Sequence, residues 1–216
     1  MSRPMLYRVL EYPIIYTISQ KLLAPGSGLL LGKCYKDVFS ESRGYILDVG
    51  CGPLFTTPRP NGTIVGIDIN PLYVKRYGSN SADKGSNGIS DYSGKCMGVV
   101  CSADSLPFDE NFFDESRCNG LLHHLPPESA LFTMKEMIRC TRPSGKIIIF
   151  DNVWPRVSLY RPLAWLTRRF DRGEWVRTEK ELLELADAAH PGNWYHKRFT
   201  YSFTGLEALL LISEKP

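Results

Sequence analysis

Four carboxylates and a pair of histidines stand at the ends of short apolar runs along this chain. Asp48 closes Tyr45-Ile46-Leu47 and leads into Gly50-Cys51-Gly52, while Asp68, twenty residues on, closes Thr63 to Ile67. Two glycines one residue apart after a strand make a turn whose backbone lies close to something, and a side chain at Gly50 or Gly52 would block a ligand there. A carboxylate at the tip of the next strand is placed to accept from two neighbouring hydroxyls, as on a ribose, each charge-assisted bond contributing roughly 1.5–3 kcal/mol. Asp68 also stands where it would cap a helix starting at Asn70-Pro71. Asp104, beyond the run Met97 to Cys101, is placed to accept from an exocyclic ring amine, with Leu106 and Phe108 along the ring. The dinucleotide fingerprint is broken, because Gly50-Cys51-Gly52-Pro53-Leu54-Phe55 lacks the third glycine that lets a helix pack under a pyrophosphate. These residues point to a nucleoside without a diphosphate. His123 and His124 end the fourth run, Phe112 to Leu122, where an imidazole of unperturbed pKa about 6.5 can take a proton near neutrality. Asp151 and Asn152 end the fifth, Ile147 to Phe150, with Trp154 and Tyr160 as candidate pocket walls.

Such residues converge only if strands and helices alternate beneath them, and the rest of the chain has that form. With 216 residues and 43 % hydrophobic composition it reads as one globular domain. Residues 1–44 form a helical lead-in, Tyr7, Leu10, Ile14, Ile18 and Leu22 recurring at helical spacing, with a stop at Pro25-Gly26-Ser27-Gly28. Gly78 to Gly94 is a polar surface loop, and Pro126 to Cys140 a helix burying Leu131, Met134 and Ile138. Val157 to Phe170 is an amphipathic helix among Arg156, Arg161, Arg168, Arg169, Arg172 and Arg177. Thr178-Glu179-Lys180-Glu181 is a capping box opening a helix that ends near His190-Pro191-Gly192, and a hairpin from Trp194 to Ile212 closes the chain.

The formal net charge of +3 is too small to indicate nucleic acid. Its distribution is uneven: residues 1–44 carry six basic and three acidic groups, and so do residues 151–177. Six cysteines without a CxxC pair indicate thiols of a reducing cytoplasm and no metal site. No apolar run approaches the roughly 20 residues of a membrane span, and the opening segment lacks the form of a secretory signal.

The motifs LDVGCGP, VGID, SADSLPF, FFDESRCNGLLHHL and RPSGK, in that order over residues 45–151, resemble the class I S-adenosylmethionine-dependent methyltransferases, in the branch of small Rossmann-like enzymes that includes quinone and sterol methylators. The resemblance implies an α/β fold: a doubly wound sheet of seven strands in the order 3-2-1-4-5-7-6, the last antiparallel, with helices on both faces. It implies a single domain over 1–216, with an N-terminal helical cover (1–44), a cofactor-binding core (45–151), a basic insertion over the acceptor (152–177), and a last helix with hairpin (178–216). By the same likeness S-adenosylmethionine lies against Gly50, Cys51 and Gly52, and Asp48 organises its amino group. Asp68 and Ile69 then take the ribose, Ala103, Asp104 and Ser105 the adenine, and the main chain of Asn119 flanks the methionine part.

Methyl transfer from a sulfonium is an in-line displacement by a pre-activated donor, so alignment supplies most of the rate, on the order of 7–11 kcal/mol. A base is required only for a protonated acceptor, and His123 and His124 are the catalytic candidates. The expected activity is methylation of oxygen or carbon on a small, anionic or lipid-linked acceptor in the cytoplasm, with peripheral membrane contact through the two basic segments. Pro58 and Pro60 limit the first crossover to about one helical turn, so the alternative is a module that binds the cofactor without turnover. Amino-group methylation of protein or nucleic acid is disfavoured because Asn119-Gly120-Leu121-Leu122 stands where an NPPY-type tetrad would be. The sequence does not fix the oligomeric state.

Overall fold

The computed structural model describes residues 22–39, 42–53, 61–79, 95–156, 161–169, 173–192 and 194–216. Among these, seven strands form one sheet: β1 (Arg43–Val49), β2 (Asn61–Asp68), β3 (Lys95–Val100), β4 (Phe113–Asn119), β5 (Thr141–Val153), β6 (Tyr195–Thr200) and β7 (Glu207–Glu214). Five α-helices flank it: α1 (Ser27–Phe39), α2 (Pro71–Ser79), α3 (Pro127–Cys140), α4 (Pro162–Arg169) and α5 (Glu179–Ala189). The strand order is β3-β2-β1-β4-β5-β7-β6, and β7 runs antiparallel to both neighbours, as expected of a Rossmann-like methyltransferase fold.

Strands β1, β2 and β5 are apolar on both sides because helices cover both faces of a parallel sheet. Leu47, Val49, Val65, Ile67, Ile147 and Ile149 pack under α3 and α5. On the other face Ile46 and Ile64 meet Tyr77 of α2, while Ile148, Phe150 and Leu210 meet Tyr35 and Phe39 of α1 and Ala164 of α4. A fully buried guanidinium interrupts this second apolar layer. Arg117 of β4 lies 4.3 Å from the ring centroid of Phe39, and its Nε donates to Glu115 Oε1 at 2.8 Å. Glu115 in turn accepts from Ser42 Oγ at 2.7 Å. A buried cation is tolerable only when paired in this way.

Several boundaries differ from the sequence reading. Pro25-Gly26 does break the chain, but Ser27 and Gly28 already belong to α1. Gly78 closes α2 instead of opening a loop, and residues 80–94 of the expected loop lie outside the described residues. The buried stripe of α3 is Ala130, Thr133, Met134, Met137 and Cys140; Leu131 and Ile138 are only half-buried, a rotation of about one residue that brings the smaller side chains against the sheet. β5 is far longer than Ile147 to Phe150, since it pairs with β4 from Thr141 and with β7 as far as Val153. The helix expected over 157–170 is described as α4, and residues 1–21, 54–60, 157–160 and 170–172 lie outside the described residues. The capping box is present: Thr178 Oγ1 accepts from the Glu181 N–H at 3.2 Å, and Glu181 Oε2 accepts from the Thr178 N–H at 2.7 Å.

Candidate functional site

At the carboxyl end of β1 the chain reverses through Gly50 and Gly52, with φ of 69° and 59°. The two glycines serve different ends. A Cβ on Gly50 would come within 2.8 Å of the Leu121 side chain, whereas one on Gly52 would meet none of the described residues within 4 Å. Gly52 is therefore required by its dihedral, and the space over it is open, as a ligand resting on the main chain needs. Gly50 makes room for Leu121, so the expected ligand clearance applies to Gly52 alone. Between them Cys51 is buried, and its N–H donates to the Ile67 carbonyl at 2.9 Å, stitching the turn to β2.

Asp68 ties this turn to the next helix. Its carboxylate accepts from the Gly52 N–H at 3.2 Å and the Asn70 N–H at 2.8 Å. The capping role passes to Asn70, whose Oδ1 accepts from the Leu72 N–H at 3.0 Å. Burial raises the Asp68 pKa, and the backbone donors of Asn70, Gly52 and Ile69 act against that rise. The Ile69 side chain beside it is exposed. Asp48 is placed differently from these. It is buried beneath the turn, accepts from Tyr77 Oη at 2.7 Å, and pairs in register with Arg117. Burial pushes its pKa up, with Arg117 and the Tyr77 hydrogen bond opposing. Asp48 therefore braces the turn from below.

Along the tips of β3 and β4 lie the remaining candidates. Ala103 and Asp104 are half-buried and Ser105 is exposed; Asp104 Oδ1 accepts from Ser102 Oγ at 2.5 Å. Asn119 ends β4, and its buried Oδ1 has no hydrogen-bond partner among the described residues. An orphaned buried acceptor of this kind needs a donor from a ligand or water.

The histidines fall on the other side of β4, in a short 3₁₀ turn over Leu122–His124. His123 is buried: its main-chain N–H donates to Asp151 Oδ2 at 3.1 Å, and its Nδ1 lies 2.5 Å from Asp151 Oδ1. Asn152 Nδ2 sits 3.2 Å from His123 Nε2. The direction of these bonds follows from Arg168, which can only donate. Arg168 Nη2 donates to Tyr201 Oη at 2.9 Å, and Tyr201 Oη donates to Asn152 Oδ1 at 2.8 Å. Asn152 must then present its NH₂ to Nε2, leaving the imidazole proton on Nδ1 facing Asp151. His123 is thus a held acceptor, and Asp151, itself buried, orients it. His124 is exposed, with its ring 4.0 Å from that of His123.

The segment after α4 straps this turn down. Trp175 N–H donates to the His123 carbonyl at 3.0 Å, while Arg177 Nη1 and Nη2 reach the carbonyls of Leu122 and Leu125 at 2.7 and 2.9 Å. The arginines expected to face an acceptor are therefore largely engaged within the protein. Arg168 and Arg177 are buried, Arg161 pairs with Glu207 at 2.9 Å, and Arg156 pairs with Glu179 at 3.2 Å. Trp154 lies 5.9 Å from Trp165 in an open groove of about 660 Å³ that Arg156, Lys180 and Arg198 also line. Tyr160 and Arg172 lie outside the described residues. Tyr77, Tyr201 and the clamp of Arg177 were not foreseen. A tyrosine is a common packing residue, and no spacing in the sequence links Tyr77 to Asp48 or Tyr201 to Asn152.

Residues 47–149 match the family described as Methyltransferase domain. A demethylmenaquinone methyltransferase of Anoxybacillus flavithermus is 26 % identical over 130 residues, covering 57 % of this chain and 51 % of that protein. The chain spans about half the length of the curated relatives it matches. Among solved structures, the [4+2]-cyclase SpnF superposes with a TM-score of 0.63 at 17 % identity, over 86 % of this chain and 80 % of that one. The geranyl diphosphate C-methyltransferase of Streptomyces coelicolor A3(2), solved with Mg²⁺, geranyl diphosphate and S-adenosyl-L-homocysteine, gives 0.61 at 12 % identity, over 86 % and 77 %. At these identities the structural likeness establishes the fold.

Proposed function

We propose that this chain is a class I S-adenosylmethionine-dependent methyltransferase that moves a methyl group from that cofactor to oxygen or carbon of a small, anionic or lipid-linked acceptor. The observation that carries the reading is the row of tips from β3 to β4: Asp68 bound to the Gly52 turn, open space over Gly52, and the orphaned Oδ1 of Asn119. Bound there, the cofactor supplies an activated methyl on a sulfonium. Gly52, Asp68 and Ile69 would hold its ribose and methionine side, Ala103, Asp104 and Ser105 its adenine, and Asn119 its amino acid part. Asp48, Gly50 and Cys51 shape the turn.

The acceptor arrives beside the histidine turn at the tips of β4 and β5. His123 keeps Nε2 as a proton acceptor because Asp151 holds the proton on Nδ1. A hydroxyl or acidic carbon reaches that nitrogen by displacing the half-buried Asn152 amide, and a base so placed adds roughly 10²–10⁴-fold. His124 lines the exposed side of the same turn. The relatives named for demethylmenaquinone and geranyl diphosphate support an acceptor with an apolar tail. Six cysteines outside any disulfide are in keeping with work in the cytoplasm.

Calorimetry with S-adenosylmethionine and S-adenosylhomocysteine, followed by labelled-methyl transfer to quinols and prenyl-chain acceptors, tests this. Micromolar binding of both with label incorporated is the expected result. Binding without turnover on any acceptor favours the cofactor-binding module prompted by Pro58 and Pro60, and no binding overturns both readings.

A further inference from the structure

Helix α4 is amphipathic the wrong way round. Its buried residues are Ala164 and Arg168, and Arg168 spends its donors on Tyr201 Oη at 2.9 Å and the Glu207 carbonyl at 3.0 Å. At 3.6 residues per turn, Leu166 lies nearly opposite the midpoint of that pair, with Leu163 and Arg169 flanking it. Leu163 is 61 % exposed, Leu166 50 % and Trp165, on the flank, 49 %. A surface helix ordinarily buries its apolar stripe and shows its arginines to water. This one inserts a guanidinium into the protein and presents leucines outward.

A second set of exposed apolar side chains lies on elements next to α4. The turn between β6 and β7 joins α4 to the start of α1: Gly205 lies against Arg161 and Ala164, and Phe203 lies against Gly26 with its N–H donating to the Pro25 carbonyl at 2.9 Å. Phe203 is 72 % exposed, and Leu22, ahead of α1, and Leu29 in its first turn are exposed as well. Leu163 and Leu166, three residues apart on one helix, form an apolar stripe of the kind that marks an interaction surface. From 161 to 169 the sequence has three arginines and no carboxylate, and Arg169 at the end of α4 is exposed.

We infer that this face seats the protein on an anionic lipid surface. Exposed leucines, a flanking tryptophan and a cation at one helix end are the features of a helix lying in a membrane interface. The charge selects anionic headgroups, each arginine near such a surface contributing through the negative leaflet potential. The inference rests on the reading of a lipid-linked acceptor. It sets the membrane-facing helix next to the proposed acceptor site, because the buried side of the same helix is bonded to Asn152 and His123 through Arg168 and Tyr201.

The test is co-sedimentation with vesicles of phosphatidylcholine alone and of equal parts phosphatidylcholine and phosphatidylglycerol. The wild-type chain is expected to bind the anionic vesicles preferentially. Leu163→Glu/Leu166→Glu is expected to lower that binding at least about tenfold, and Arg169→Ala about fivefold on anionic vesicles only. Should the double variant fold poorly, quenching of tryptophan fluorescence by lipids carrying a bilayer-depth quencher gives an independent reading: it is expected in wild type and reduced in Trp165→Phe. Absence of vesicle binding, or binding and quenching indifferent to these substitutions, overturns the inference. So does a wild-type dimer that dissociates in the double variant without any vesicle binding, which assigns the face to a second copy. S-adenosylhomocysteine titration in the same samples separates the two readings, since intact cofactor binding with no vesicle binding sinks only this one.

Discussion

Removing the Asp68 carboxylate is the most direct perturbation of the cofactor site. A carboxylate offers about four lone-pair positions. Gly52 and Asn70 occupy two of them, at 3.2 and 2.8 Å, and the Ile69 N–H also faces the carboxylate, leaving one for a ribose hydroxyl. Each charge-assisted bond lost costs roughly 1.5–3 kcal/mol. One bond's worth at the low end is already about tenfold in Kd. In Asp68→Ala the turn also loses its anchor, so the affinity for S-adenosylhomocysteine, read by calorimetry, is expected to fall at least tenfold while the fold is retained. Asp68→Asn separates the two effects. Its amide oxygen can still accept from the backbone but without the charge, so its Kd is expected between wild type and alanine. An alanine variant whose Kd stays within about twofold of wild type refutes the ribose assignment, since no arrangement that uses this carboxylate tolerates its loss so lightly.

Glu207 provides a pH test. Burial alone would raise its pKa, but bonds from Arg198, the Arg156 N–H and Arg161 outweigh burial and hold it below the ordinary 4.5. The unfolded chain therefore binds more protons in that window, so this stabilisation is complete above about pH 4.5 and is lost as pH falls through the lower folded value. Thermal melts from neutral to acid pH should show wild type losing stability more steeply than Glu207→Gln below that point; parallel curves would contradict it. Thr178→Ala removes one half of the capping box of α5 and is expected to cost about 1 kcal/mol, a fall of roughly 2–4 °C in Tm for a chain of this size. Tyr201→Phe takes an acceptor from Arg168 and a donor from Asn152, at a cost of about 1–3 kcal/mol. It should also loosen the imidazole tautomer, visible in nitrogen NMR of His123 as averaging of the two ring signals, and an unchanged spectrum would argue against the polar chain drawn here.

Strands β1, β2 and the middle of β5 could be read from the sequence because Tyr45 to Leu47, Thr63 to Ile67 and Ile147 to Phe150 are apolar runs that end in acids, and parallel strands buried on both faces leave that imprint. The capping box and the last hairpin were legible for a similar reason, since each is a local pattern. Asp68 and the glycine turn stand at the strand ends where the sequence puts them, but the different surroundings of the two glycines were not legible, because Leu121 approaches Gly50 from about seventy residues away in sequence. The surroundings of the arginine-rich insertion were hidden for the same reason. A row of arginines looks the same whether it faces water or, like Arg168 and Arg177, donates inward to carbonyls and a tyrosine. Pairings such as Tyr77 with Asp48 or Tyr201 with Asn152 depend on how helices and hairpins settle over the sheet, and a single sequence carries no local signal for that.

The guanidinium of Arg117 has a consequence for where the domain begins. The family match starts at residue 47, yet the cation in β4 is roofed by Phe39 and flanked by a glutamate that Ser42 serves, both from the chain before that point. A truncation at the first strand would strip the ring from over a charge in the middle of the sheet and take the Ser42 hydroxyl from its partner Glu115. The helix that precedes the matched core covers that ion pair, so a shortened version meant to isolate the proposed nucleoside site is expected to need α1 as well.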